Sequence, residues 1–225
     1  MEQIKTCLAK YISEPCNPEY NYDLAYSYEE EKQYSAAFSY YLRCAEFTKN
    51  NVLACEALLR CSFCIHAQKQ RDAKELYFIK QAICASPSSP EPYYIASLYF
   101  SYRSSNVPEK RMWLDSYMYA SLGLNILEAG QLSKFIHPVY CNKTEFYYQK
   151  ALCAKHLGRL VESQSLFKIV LTQLDSTNPS YEALKNICNE LTEPIAKLSS
   201  GYSFLRYKTF SEKNYDIQYI NNTLN

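Results

Sequence analysis

The sequence predicts an all-α protein, built as a right-handed superhelix (an α-solenoid) of about four helix pairs with a capping helix at each end. Apolar residues recur at helical spacing along most of the chain, and a bulky residue followed three positions later by a small one returns at fixed intervals. Only four glycines occur in 225 residues. This scarcity suits helices and argues against phosphate-cradling loops and all-β folds.

The repeating unit is clearest over residues 17–49, which predict two amphipathic helices joined by a tight turn. In the first helix, Leu24, Ala25 and Tyr28 fall at spacing i, i+1, i+4. In the second helix the apolar stripe is formed by Tyr34, Ala37, Phe38, Tyr41, Cys44 and Ala45. One helix pair of this size cannot bury its apolar face alone, so neighbouring copies are expected.

Three further copies of the bulky and small pair follow Tyr41 and Cys44. They are Ile79 with Ala82, Tyr117 with Ala120, and Phe167 with Val170. The first two steps are 38 residues long and the third is 50. A small residue at a fixed place lets neighbouring helices approach closely, so the pattern predicts regularly stacked pairs.

This pattern resembles the tetratricopeptide repeat (TPR), whose usual period is about 34 residues. In the first copy the signature positions are occupied by Leu24, Ala25, Tyr28, Tyr34, Ala37, Tyr41 and Cys44, and in the fourth by Tyr147, Ala151, Gly158, Ser163 and Phe167. Pro87 closes the second copy where the family favours proline, but Glu75 stands where a small residue is expected. The longer period implies longer helices or turns than the family standard.

A narrower resemblance covers about three quarters of the chain. The stretches beginning at Glu19, Leu58, Pro90 and Trp113 look like helical-repeat regions of giant viruses and marine cyanophages, which stand alone or precede a glycosyltransferase domain. This resemblance implies a viral origin and a glycosyltransferase partner.

The repeat pattern divides the chain into three parts. Residues 1–16 predict an N-terminal capping helix, residues 17–191 the TPR-like array, and residues 192–225 a tail that is extended or docked. Residues 129–142 interrupt the period and form the longest irregular segment of the array, and such loops are often functional.

Charge and hydropathy exclude several classes of partner. The formal net charge is +1 with no basic block, so nucleic acid is not expected. The sequence contains neither an apolar run of membrane-spanning length nor a signal-peptide core, so we expect no membrane insertion and a cytoplasmic location, in the host cytosol if the protein is viral. The ten cysteines should then remain thiols.

No residue constellation predicts catalysis, a cofactor or a metal site. Cys55, Cys61, Cys64 and His66 have metal-binding side chains, but they fall in one predicted helix without the second ligand pair of a zinc finger, so we interpret the thiols as core residues. His137 and His156 lack the neighbours of a catalytic triad. The protein is therefore expected not to be an enzyme.

The TPR resemblance implies a partner-binding groove, because the first helix of each pair faces the concave side in that family. The implied partner-binding residues are Tyr22, Tyr26, Glu29, Arg60, Tyr94, Leu98, Tyr102, Tyr148 and Lys155, with Glu56, Cys64, Leu152 and His156 at neighbouring positions. The tyrosines replace the polar clamp of chaperone-binding TPR proteins and suit an apolar or proline-containing segment, or a sugar face. The alternative is that some of them pack between helices.

These observations predict a non-catalytic protein–protein interaction scaffold. Two alternatives remain at this stage: an accessory module of a glycosyltransferase or glycan-assembly system, and a structural component of a virus particle.

Overall fold

The computed structural model describes residues 2–68, 72–106, 110–139, 141–175 and 177–197, and within these ranges the chain forms α helices and no strand. This confirms the all-α prediction for the described part of the chain. The helices are α1 Glu2–Ser13, α2 Pro18–Glu30, α3 Tyr34–Phe47, α4 Asn51–Ala67, α5 Asp72–Ala85, α6 Glu91–Asn106, α7 Lys110–Glu128, α8 Lys143–His156, α9 Leu160–Gln173 and α10 Pro179–Glu190. Residues 192–197 are again helical.

Each helix packs against the next one along the chain. Packing is extensive within four helix pairs, α2 with α3, α4 with α5, α6 with α7 and α8 with α9, and also between α3 and α4 and between α7 and α8. We call α2, α4, α6 and α8 the first helices of the four pairs. Successive apolar clusters run through the stack, and α1 and α10 lie at its ends.

The first and the fourth pair share one turn geometry. In the first, the Gln33 amide donates to the Tyr28 carbonyl at 2.8 Å, and in the fourth the Arg159 amide donates to the Ala154 carbonyl at 2.9 Å. A residue of positive φ precedes each of these amides: Lys32 at 58° and Gly158 at 78°. The turn therefore requires a left-handed residue at this position, which glycine adopts without steric cost.

The small residues of the sequence period lie in the helix interfaces. Cys44, Ala82 and Ala120 are fully buried and Val170 nearly so. Of their bulky partners, Tyr41, Ile79 and Phe167 are fully buried, while Tyr117 is half-buried and donates its hydroxyl to Glu162. The period thus corresponds to residues that set how closely neighbouring helices approach.

Helix starts follow the capping residues. Asn17 followed by Pro18 predicts a cap and the first turn of a helix, and Asn17 does cap α2: its side chain accepts from the Tyr20 amide at 3.1 Å. The sequence predicts a helix start at Tyr93, but α6 starts two residues earlier, because Pro92 occupies the first turn, where its missing N–H has no intrahelical partner. The sequence also predicts that the helix from Val52 runs to about Gln70; α4 ends at Ala67, while Gln70 itself and the tail from residue 198 onward lie outside the described residues.

Candidate partner-binding groove

The irregular residues between α7 and α8, which we call the returning loop, contact the first and second helix pairs. The carboxylate of Glu56 on α4 is 1% exposed and accepts two consecutive amides of this loop: Ile136 N–H at Oε2 and His137 N–H at Oε1, each at 2.7 Å. The Tyr22 hydroxyl donates to the same Oε1 at 2.5 Å. Three donors converge on one buried carboxylate, which is the usual way in which a buried charge is accommodated.

The ring of His137 lies flat against the first helix of the array. It stacks on Tyr26 with ring centroids 3.8 Å apart and planes 1° from parallel, and Tyr22 lies parallel at 5.9 Å. On the other side of the same residue, Arg60 Nη2 donates to the His137 carbonyl at 2.9 Å. The backbone of His137 is therefore bound at both its N–H and its C=O.

A second carboxylate orients Arg60. Glu29 accepts from Arg60 Nη1 at 3.0 Å and from the Tyr41 hydroxyl at 2.6 Å. Burial alone would lower the pKa of Arg60, but the adjacent Glu29 carboxylate raises it, and the net pKa lies above its usual value. Burial and the bond to Glu56 raise the pKa of Tyr22, so its hydroxyl stays a donor at any physiological pH.

A groove of about 980 Å³ lies open beside this site. It is lined by three first helices: Phe63 and His66 on α4, Leu98 and Tyr102 on α6, and Leu152 on α8. Tyr102 is 66% exposed and is the most exposed aromatic side chain of the groove. The groove is therefore an accessible, mainly apolar surface shared by consecutive helix pairs.

One edge of the groove carries a stacked ring pair. Trp113 on α7 lines the groove and lies parallel to His156 at the end of α8, with centroids 3.8 Å apart. Burial lowers the pKa of His156, and the neighbouring Lys155 lowers it further. The imidazole is therefore neutral over a wider pH range than usual.

Polar contacts behind the groove hold three helices close together. Ser97 and Ser116 donate to each other's backbone carbonyls at 3.0 and 2.8 Å, joining α6 to α7. Gln149 on α8 lines the groove and donates to the Ser116 hydroxyl at 3.2 Å. Because these bonds are buried, they fix the relative positions of the helices that form the groove.

The structure separates the predicted groove residues into three sets. Tyr22, Tyr26, Glu29 and Arg60 surround the returning loop, and Tyr22 is fully buried there. Leu98 and Tyr102 line the open groove.

The remaining three predicted residues lie elsewhere. Tyr94 is half-buried between helices, with its ring against Phe146 and its hydroxyl 3.2 Å from Glu145. Tyr148 lies edge-on to Phe167, and Lys155 is half-buried on α8.

Sequence reasoning missed the role of His137. Its position beside Pro138 in an irregular segment predicts a surface histidine, and the sequence places Glu56 only among the neighbouring positions of the groove. The available signal was the 50-residue step, which places extra chain between the third and fourth pairs. The helical spacing of Trp113, Tyr117 and Ala120 predicts a buried stripe on α7. Trp113 is buried, as this predicts, and it also lines the groove.

The cysteines of α4 point into the core rather than toward His66. Cys61 and Cys64 are fully buried in the first apolar cluster, whereas His66 is exposed and lies 3.2 Å from Glu75. Burial raises the pKa of Cys64 to about 12 and that of Cys61 well above its usual value. In the part of the chain that the structure describes, no three His, Cys, Asp or Glu side chains converge on a common point that a metal could occupy.

A second groove, of about 700 Å³, lies between α3, α4 and α5. Phe38, Ile65, Tyr77 and Phe78 line it together with Lys74. It carries no sequence-predicted binding residue.

The chain matches no protein-family profile and no curated protein sequence. None of the helices in the described ranges has the length and apolar character needed to cross a lipid bilayer.

Proposed function

We propose that the protein is a non-catalytic protein–protein interaction scaffold whose four helix pairs continue as a right-handed TPR-like superhelix. The shared turn geometry of the first and fourth pairs, and the burial of the period's small residues, support this arrangement. The partner is a polypeptide segment bound by the first helices.

One observation carries the proposal: the first helices already hold a non-helical segment of the chain itself, and the open groove continues along them. Arg60 joins the two regions, since its guanidinium binds the His137 carbonyl and lies 5.8 Å from the ring of Phe63, a residue of the groove wall. Exposed Tyr102 and half-buried Leu98 offer contact area of the kind that interface hot spots use.

Site-directed photo-crosslinking tests this proposal. A photoreactive phenylalanine analogue replaces Tyr102 in the groove or, as a matched control, Met118 on α7, which is also more than half exposed but lies outside the groove lining. We expect a protein partner to be captured from Tyr102 and not from Met118.

Affinity measurements with the captured partner complete the test. Tyr102→Ala should weaken binding by about 30-fold, since a hot spot contributes about 2 kcal/mol, whereas Met118→Ala should change affinity less than twofold. Capture from Met118 alone, or equal losses in both variants, would place the partner on another face and refute the groove assignment.

A further inference from the structure

The loop segment 135–138, which we call the docked segment, is bound mainly through groups that every peptide has. Glu56 binds the amides of residues 136 and 137, and Arg60 binds the carbonyl of residue 137. Only two side chains of the segment add substantial contacts: Phe135, which is buried in an apolar cluster with Leu59 and Ile79, and His137, which stacks on Tyr26.

These contacts define what the site can recognise. The backbone bonds require a short bent segment with two consecutive amides directed at one carboxylate. The apolar cluster takes a large side chain at the first position, and the face of Tyr26 takes a flat ring two positions later. Proline can follow the ring residue, because Pro138 is exposed and has no N–H that the site would have to bind.

The docked segment can leave without separating any helices. α7 and α8 pack directly on each other, so they do not depend on the loop to stay together. Ser133, Lys134, Ile136 and Pro138 are exposed, and Phe135 is the buried side chain of this stretch. Release therefore breaks a small set of contacts and uncovers Glu56, Arg60 and Tyr26 next to the open groove.

We infer that the Glu56–Arg60–Tyr26 site is a recognition site for partner peptides of the pattern large apolar residue, any residue, ring residue, after which proline can follow, and that the docked segment occupies it as an internal ligand. This inference rests on the proposed function and specifies the partner's chemistry. A partner lying in the groove gains the site by displacing residues 135–138.

The test uses a fluorescent peptide with the sequence of residues 132–139, LSKFIHPV, as the probe. The receptor is the full-length chain with residues 133–138 replaced by alternating glycine and serine, whose fold is checked by circular dichroism. We expect saturable binding by fluorescence anisotropy. The unmodified chain should bind at least about ten times more weakly, because a tethered competitor acts at an effective concentration on the order of millimolar.

Two matched variants identify the site. In the loop-replaced chain, Glu56→Gln should weaken peptide binding at least tenfold, because the new amide group meets a peptide N–H as a second donor. Glu46→Gln, on the exposed face of α3, should leave binding unchanged. A probe with glycine in place of the histidine should also bind at least tenfold more weakly, since it cannot stack on Tyr26.

A folded loop-replaced chain that does not bind the probe overturns the inference, and so does equal binding by the Glu56→Gln and Glu46→Gln variants. If the loop-replaced chain does not fold, hydrogen exchange of the unmodified protein decides. If the amides of residues 136 and 137 exchange at least ten times faster than those of α4, the segment opens while α4 stays folded, which supports the inference. If they exchange only at the rate of the α4 amides, the segment does not open on its own, and the inference is overturned.

The result of the peptide-binding test is independent of the crosslinking result at Tyr102. A partner captured at Tyr102 without any binding of the probe leaves the scaffold function in place and overturns the inference alone. Probe binding without capture at Tyr102 supports the recognition site and refutes the open groove as the primary contact.

Discussion

Replacement of Glu56 by glutamine tests how much the returning loop contributes to stability. Glutamine keeps the shape of the side chain and one acceptor oxygen. In the Oε1 position, this oxygen still accepts from Tyr22 and from the His137 amide, but the new NH₂ group then meets the amide of Ile136. One hydrogen bond is lost, and the new NH₂ group, on a side chain at a position that is 1% exposed, is left without an acceptor.

The expected cost is about 1–3 kcal/mol, the penalty for a buried polar group deprived of its partner. For a chain of this size, each kcal/mol lowers Tm by about 2–4 °C, so a central value of about 2 kcal/mol predicts a decrease of about 4–8 °C. The cost also has an upper limit. If the docked segment detaches, the Ile136 amide reaches water, and the loss cannot exceed the free energy of docking the loop.

Thermal melts followed by circular dichroism at 222 nm, compared with Glu46→Gln as the exposed control, measure this decrease. Hydrogen exchange at residues 136 and 137 shows whether the segment has detached. A Tm within 1 °C of the control, with unchanged exchange at both amides, would refute the reasoning, because it would mean that the Glu56 carboxylate contributes nothing to the position of the loop.

Three further predictions concern packing, thiols and pH. Ala120→Leu should overpack the interface of α7 and destabilise the fold by about 1–3 kcal/mol, as measured by urea unfolding. The control Asn125→Leu, on the exposed face of the same helix, should change stability little. Equal effects of the two variants would show that the small residues of the period do not mark the interface. A thiol reagent at pH 8 should modify Cys16 and Cys84 rapidly and the buried cysteines only on unfolding, and a Cys16→Ser, Cys84→Ser double variant should lose the fast phase. Burial raises the pKa of Glu91 above its ordinary value of 4.5, so the folded chain binds more protons than the unfolded one and this contribution to stability falls as pH rises. Glu91→Gln should therefore gain Tm relative to the unmodified chain as the pH is raised above 4.5, and a constant difference would contradict the assignment.

Local features of the fold could be predicted from the sequence because they depend on neighbouring residues. The sequence predicts a helix from Lys143 to His156, and these are the bounds of α8. Asn17 and Gly158 occupy the cap and the turn expected of them. Cap and turn preferences are set by the backbone conformation of one or two residues, so the sequence carries them directly.

The position of the loop could not be predicted in this way. Arg60 and His137 are 77 residues apart, and their contact depends on where α7 and α8 lie relative to α4. Tyr22 and Tyr26 belong to the helix face that the TPR resemblance assigns to the groove, but the sequence does not show that the chain covers them itself. Their burial therefore follows from tertiary structure and not from the helical pattern.

The longer third step of the sequence period and the docked segment have the same origin, the extra residues between α7 and α8. The third step is twelve residues longer than the first two, and this surplus chain lies between α7 and α8. In a repeat array, each unit normally contacts only its neighbours, so contacts between residues 56 and 136 or 60 and 137 are an addition to the repeat geometry. The entropy of closing a long stretch of chain opposes such distant contacts. They also lie outside the interfaces between consecutive helices, because α7 and α8 pack directly on each other. The loop contacts can therefore break while the helix interfaces stay intact, and this is the physical reason why the docked segment, rather than any helix of the stack, is the part of the fold suited to exchange with a partner.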